Sequence, residues 1–349
     1  MEATHLAAVL PEVTWIGVLI KAVMILAIIS ALAGFGTFIE RKVLAFMQRR
    51  LGPMHVGPYG LLQIAADGIK LFTKEDIIPQ NANKLIFMIA PIITAATAFI
   101  ALSSVPVFPD FSIPEFIPVL GGTFVPSIAA DLNIGILFVL GMMAAGLYGP
   151  LLAGMSQANK WGIIGAARTA VQFLSYEVVT GLSILAPIML VGSLSFVDFN
   201  NYQITEGAWM MFYQPVAFVL FLIAGFAETN RTPFDLLEHE AEVVSGYATE
   251  YSGMRWGMFF IGEYANMITI SIIASIVFMG GYNPETMLFG WSIGWLLIIL
   301  KIAFFFFLML WVRAAWPHVR PDQLMWLCWK VLMPLAVINI LVTATVMMI

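Results

Sequence analysis

The residues in this 349-residue chain that could do chemistry are acids and bases set inside, or at the ends of, long apolar runs. Arg168 and Glu177 share one run, about 13 Å apart along a helix rising 1.5 Å per residue. Glu228 closes the next run, Glu263 and Lys301 sit in the two that follow, and Lys21 lies early in the first. A charge at the middle of a bilayer costs at least ~2.5–3.5 kcal/mol, so such residues pair with one another or line a wet path. For one residue a static ion pair between helices is as good an account as any. For several acids entering from one face, a proton route is better. Glu177 in particular must be protonated, paired or wetted, and an acid held that way can take up a proton and pass it on.

Two polar stretches add to this set. The segment from Glu228 to Gly257, ETNRTPFDLLEHEAEVVSGYATEYSGMRWG, is rich in carboxylates. Thr232 can cap a helix starting at Pro233, with Asp235 as the acid of a capping box. Asp235, Glu238 and Glu242 then share a face, with Glu240 and Glu250 nearby. Such a cluster suits proton collection, docking to a basic partner, or simple solvation. The other stretch opens with Glu40-Arg41-Lys42 and runs QRRLGPMHVGPYGLLQIAADGIKLF from Gln48 to Phe72. Gly52-Pro53 and Gly57-Pro58 punctuate it as turns. Composition alone favours a basic loop that merely obeys topology, but that reading explains poorly why Arg49 and Arg50 stand directly before two such turns, a rigid presentation of charge. After Tyr59 the pattern becomes helical. Gln63, Asp67, Lys70 and Lys74 form one stripe and Leu61, Leu62, Ala65, Ile69 and Phe72 lie away from it, as in an amphipathic helix at a membrane surface or a partner.

The elements that hold these residues follow from composition. Hydrophobic residues make up 61% of the chain and charged ones 11%, with a mean hydropathy of +0.93. A soluble core of this size needs more polar residues to cover it, so apolar runs of about 20 residues must face lipid. The net charge of −5 leaves no nucleic-acid footprint. Cys328 is the lone cysteine, which excludes an internal disulfide and any cluster held by several thiolates. His5, His55, His239 and His318 all fall outside the apolar runs, so a transmembrane haem finds no axial ligands, and no Gly-rich nucleotide loop follows a strand. Any electrons this protein works with belong to another chain. Ala31-Leu32-Ala33 imitates a signal-peptidase site, but no positive region precedes the run and the run continues past it, so the first span is expected to be retained.

Apolar runs predict an all-α integral membrane protein, a single membrane domain over 1–349. Eight transmembrane helices are expected at roughly 14–39, 82–104, 132–153, 162–190, 212–229, 256–279, 287–312 and 327–348. The loops 105–131, 191–211 and 280–286 lack Lys and Arg, whereas 40–81, 154–161, 230–255 and 313–326 carry them. The positive loops stay cytoplasmic, which puts both termini on the periplasmic side and makes 40–81 and 230–255 long cytoplasmic loops. No internal repeat and no regular run of intramembrane arginines points to a transporter or a voltage sensor.

These stretches resemble the signature segments of the H subunit of bacterial NADH–quinone oxidoreductase, respiratory complex I, known as subunit 1 in the mitochondrial enzyme. RTAVQFLSYEV from Arg168 to Val178 and WVRAAWPHVRPDQLMWLCWKVLMPL from Trp311 to Leu335 match as well, so the resemblance covers most of the chain. It implies a membrane floor for the quinone chamber, coupled to proton translocation, in the bacterial inner membrane. Quinone would be the substrate. NADH, FMN and iron–sulfur clusters would sit on partner subunits, with none bound by this chain. The implied partners are the hydrophilic quinone-site and iron–sulfur subunits, adjacent small membrane subunits, antiporter-like subunits and lipid, with no nucleic acid. Glu40, Arg41, Arg49, Arg50, Asp67, Arg231 and Asp235 would line the chamber side. Glu177, Glu228, Glu238, Glu240, Glu242, Glu250, Glu263 and Arg168 would belong to the proton path. The chain departs from the family pattern at Met54, Ile64 and His318, where the family usually has Asn, Pro and Arg. The homologous membrane subunit of an energy-converting hydrogenase shares the scaffold without a quinone, and only inhibitor-sensitive quinone reduction separates the two. A stand-alone ion transporter would instead be active as an isolated chain in liposomes.

Overall fold

The computed structural model describes residues 15–107, 111–113, 122–124, 132–237, 240–283, 287–288 and 291–348. Among the described residues, seven helices are long and apolar enough to cross a bilayer. The first, α1 (Trp15–Met47), has 33 residues and runs about two turns past Glu40-Arg41-Lys42, so the basic loop begins at Gln48. The short α2 (Gln63–Thr73) is the amphipathic helix expected after Tyr59. None of its residues is buried, and Ile69 and Phe72 are 65% and 73% exposed. Asn83 caps α3 (Lys84–Ser103), accepting from Ile86 N.

The segment between 105 and 131 carries a two-stranded antiparallel ribbon, β1 (Phe111–Ile113) with β2 (Gly122–Phe124). The third apolar run is two helices, α4 (Gly135–Gly146) and α5 (Tyr148–Ser156), joined at Leu147. Next comes α6 (Lys160–Val191), which starts on an Asn159 cap and ends at Gly192, where φ is +73°. The connection that follows folds into α7 (Phe196–Glu206), capped by Ser195, and a single turn, α8 (Met210–Tyr213). The fifth apolar run gives α9 (Pro215–Glu228), 14 residues or about 21 Å, which is shorter than a ~30 Å hydrocarbon core.

Two expectations fail locally. No helix starts at Pro233: residues 231–237 are irregular, with a turn from Phe234 N to Arg231 O at 2.8 Å. Phe234, Leu236 and Leu237 are all buried, and Pro233 O accepts from Val319 N at 3.0 Å, so packing and a tie to the segment before the last helix override the capping signal. Helix resumes only at α10 (Glu240–Val243). The seventh run also starts late. Met287–Leu288 (β3) pairs with Trp291–Ser292 (β4), and the helix α12 begins at Gly294 and ends at Ala315. A short apolar stretch does not declare whether it is strand or helix.

At the centre stands α11 (Gly253–Met279), the most buried of the long helices. Its neighbours approach over small residues. A Cβ on Gly149 of α5 would fall on Thr94 Oγ1 of α3, and one on Gly262 of α11 would lie 3.1 Å from Thr94 Cγ2. The last helix is α13 (Pro321–Leu327) continued by α14 (Met333–Met348), with a π-helical turn at Cys328–Leu332 between them.

Candidate functional site

At one end of the bundle four elements bring buried charges together. Glu40, 6% exposed at its side chain, projects from α1. It is bonded to Arg313 from the last turn of α12 and lies 3.5 Å from Arg231 Nη1. Its second oxygen accepts a hydrogen bond from Tyr264 Oη of α11 at 2.7 Å. Arg231, 5% exposed, reaches on through Nη2 to Glu263 Oε2 at 3.5 Å, and Tyr247 Oη donates to Glu263 Oε1 at 3.3 Å. The guanidinium also lies 4.6 Å from the centre of the Tyr264 ring and 5.8 Å from that of Phe260. The result is a chain of alternating charge, Arg313, Glu40, Arg231 and Glu263, with two phenols at its flanks. Buried ions are tolerated when they are paired and hydrogen-bonded in this way.

Local sequence explains the assembly. Glu263 and Tyr264 are adjacent on α11, so one turn of helix supplies an acid and a donor. The irregular backbone after Asn230 delivers Arg231 inward. Tyr247 is placed by a backbone crossing: a Cβ on Gly165 of α6 would stand 2.7 Å from Tyr247 N, and Gly246 takes φ +48°.

A second group lies along α6 and α9. Glu228 is buried at the end of α9, and Gln172 Nε2 donates to Ala227 O at 2.7 Å and to Asn230 Oδ1 at 3.0 Å beside it. Tyr176, Glu177 and Glu228 are close enough for their charges to act on one another. Tyr176 Oη and Glu177 Oε2 are buried with no protein hydrogen-bond partner among the described residues. One oxygen of this acid pair and the phenol beside it are thus left without a protein partner among the described residues.

The other expected residues fall into outer positions. Arg41 and Asp67 pair at 2.6 Å, joining α1 to α2, with Gln63 and Lys70 also on Asp67 at 3.1 and 3.7 Å. Arg49 and Arg50 are exposed. Arg49 takes φ +54°, and Arg50 Nε donates to Gln48 Oε1 at 2.6 Å. Arg168 pairs with Glu242 at 2.5 Å rather than facing Glu177 along the helix. Glu250 Oε1 accepts from Asn159 Nδ2 at 2.8 Å, and Asp235 is half-buried. Glu238 lies outside the described residues, and Glu240 opens α10 with its side chain outside them. Sequence reasoning missed Arg313, Tyr264, Tyr247 and Tyr176. The signals were a guanidinium closing an apolar helix and phenols beside acids.

A multi-pass helical membrane protein with a buried, charge-alternating network at one end of its bundle is the class this fold and site define. The family described as NADH dehydrogenase matches residues 20–344. The H subunit of the NADH-quinone oxidoreductase of Nitratiruptor sp. is 70% identical over 333 residues, covering 95% of this chain and 98% of that protein. The H subunit of Wolinella succinogenes is 66% identical over 94% of this chain and 97% of its own length, and that of Sulfurimonas denitrificans 62% over 96% and 98%. The chain belongs to the NADH dehydrogenase family, that of the complex I membrane protein termed H in bacteria and 1 in mitochondria.

Proposed function

We propose that this chain forms part of the quinone chamber of an NADH–quinone oxidoreductase and couples quinone reduction to proton translocation. In this reading it crosses the bacterial inner membrane eight times, with α9 as the short fifth span and both termini periplasmic. The Glu40 end of the bundle faces the cytoplasm beneath the hydrophilic quinone-site and iron–sulfur subunits, and the small and antiporter-like membrane subunits lie alongside. NADH, FMN and the clusters stay on the partners. Arg49 and Arg50 meet the hydrophilic side, and Arg41, Asp67 and Asp235 border the chamber. Arg168 with Glu242, and Glu238, Glu240 and Glu250, form its acidic rim.

The observation that carries the reading is the network Arg313–Glu40–Arg231–Glu263, with Glu40 and Arg231 buried where four separated chain segments meet. Glu263 and the Glu177–Glu228 pair would continue it as the proton path. That the relatives are NADH-quinone oxidoreductase H subunits favours the quinone branch over the hydrogenase one. Glu40→Gln keeps the size of the side chain and removes its charge from between two guanidiniums. Losing charge-assisted hydrogen bonds worth ~1.5–3 kcal/mol should lower quinone reduction by the whole complex about tenfold or more. NADH oxidation with an artificial acceptor should be unchanged. Equal loss of both activities would show failed assembly, and unchanged quinone reduction would remove the network from the chamber.

A further inference from the structure

The opposite end of the α11–α12 pair holds a charge that this mechanism does not use. Lys301 lies about two turns into α12, and its Nζ donates to Met279 O at 2.7 Å, Gly281 O at 3.1 Å and Gly280 O at 3.3 Å. Three consecutive carbonyls at the end of α11 thus converge on one ammonium. Gly280 makes the convergence possible with φ +68°, a conformation that L side chains rarely adopt. The indole of Trp209 closes a further side, its ring centre 5.4 Å from Nζ. Carbonyl oxygens at the negative pole of a helix together with an aromatic face are the ligand set of a monovalent cation. Neighbouring carbonyls are already served, since Gln203 Nε2 donates to Ile276 O at 2.9 Å and Val277 O at 3.2 Å. Among the described residues no carboxylate lies within 4 Å of the ammonium, so the carbonyl dipoles and the ring are what hold it.

Position gives the cradle a consequence. Lys301 stands about 18 Å along α12 from Arg313, and Met279 about 22 Å along α11 from Tyr264, at 1.5 Å per residue. Arg313 and Tyr264 both meet Glu40. The two helices are therefore tied at both ends, by Lys301 at one and by the buried network at the other. A helix is stiff along its axis, so slippage at one tie moves the other.

We propose that Lys301 is a tethered cation filling a carbonyl-and-indole cradle at the end of α11, and that it acts as a positioning residue setting the axial register at which Tyr264 and Arg313 meet Glu40. The cradle is then a site for small primary alkylammonium ions once the lysine is shortened. A cavity of about 440 Å³ beside it, lined by Leu297, Leu300, Phe304 and Ile204 among others, gives such an ion a way in.

The register half of the proposal rests on the function proposed above, whereas the cradle half does not, and the test separates them. In the whole purified complex, Lys301→Ala should lower quinone reduction about tenfold, the scale of a lost set of charge-assisted hydrogen bonds. Propylammonium should restore it saturably. Sodium at equal ionic strength and bulky tetramethylammonium should not. Lys301→Arg should keep more activity than Lys301→Ala. The melting temperature of the Lys301→Ala complex should rise with propylammonium while that of the parent stays fixed. No response of melting to propylammonium overturns the cradle. A melting response without recovery of activity overturns the register role, in a chamber subunit or in any other. Should Lys301→Ala not assemble, amine acetylation of the parental complex decides. Lys301 should be protected and Trp209→Ala should speed its modification, and ready acetylation of the parent overturns the proposal.

Discussion

Arg49 takes a left-handed backbone conformation in the turn that follows α1, so its side chain is aimed by the turn rather than by packing. Arg50 beside it is exposed and touches only Gln48 among the hydrogen bonds described for its side chain. Exposed charges of this kind are worth about 0.2–1 kcal/mol. Arg49→Ala or Arg50→Ala should thus reduce quinone turnover by up to about fivefold, with artificial-acceptor activity intact in the same membranes. An unchanged quinone rate in both variants would free the first loop of any chamber role. Glu177 differs in kind, because its buried oxygen lacks a protein partner near a second acid. Glu177→Gln retains shape and cannot ionise. In a tightly coupled machine it should depress quinone reduction and proton pumping together, and Glu177→Asp should keep part of both. Full assembly with parental pumping in the Gln variant would leave Glu177 a structural residue.

Elements stand or fall on close approaches between helices. Gly149 on α5 touches α3 where a side chain would collide with Thr94 and the Ala90 carbonyl. Overpacking there should cost about 1–3 kcal/mol, so Gly149→Val is expected to lower the melting temperature of the complex. Thr94→Ala, which clears one of the two obstacles, should recover part of that loss in the double variant. Lack of any shift would mean that α3 and α5 can part without penalty. The helices themselves were largely legible, because 20-residue apolar runs admit few other structures. The amphipathic α2 was legible too, from one polar stripe. What failed shares a cause. The capping signal at Thr232-Pro233 is local, and the buried Phe234, Leu236 and Leu237 overrule it. The start of α12 was misplaced because Met287 and Leu288 are as apolar in a ribbon as in a helix. Tyr264 and Arg313 escaped notice because what matters is their convergence on Glu40 from segments more than 200 residues away in the chain.

For the molecule as a whole, the proposed orientation makes a direct prediction. Cys328 is buried, so single cysteines can be introduced against a quiet background. Asn201→Cys, on an exposed position of α7, should react with an impermeant maleimide from outside intact cells, and Val244→Cys should react only after lysis. Labelling of position 244 from outside would invert the topology. The inner cluster also has a property of the assembly rather than of any one residue. Two guanidiniums paired with two carboxylates cancel, so as a chain of ion pairs the cluster is neutral overall. Such an object behaves as a charged capacitor. It exerts little net pull at a distance, yet each plate responds to a nearby field. A unit charge arriving about 10 Å from one member shifts its energy by about 1.7 kcal/mol at an effective dielectric constant near 20. That is more than a tenfold change in its protonation equilibrium. Under the proposed function, a charge created in a neighbouring chain would bias the protonation of this cluster with no helix having to move.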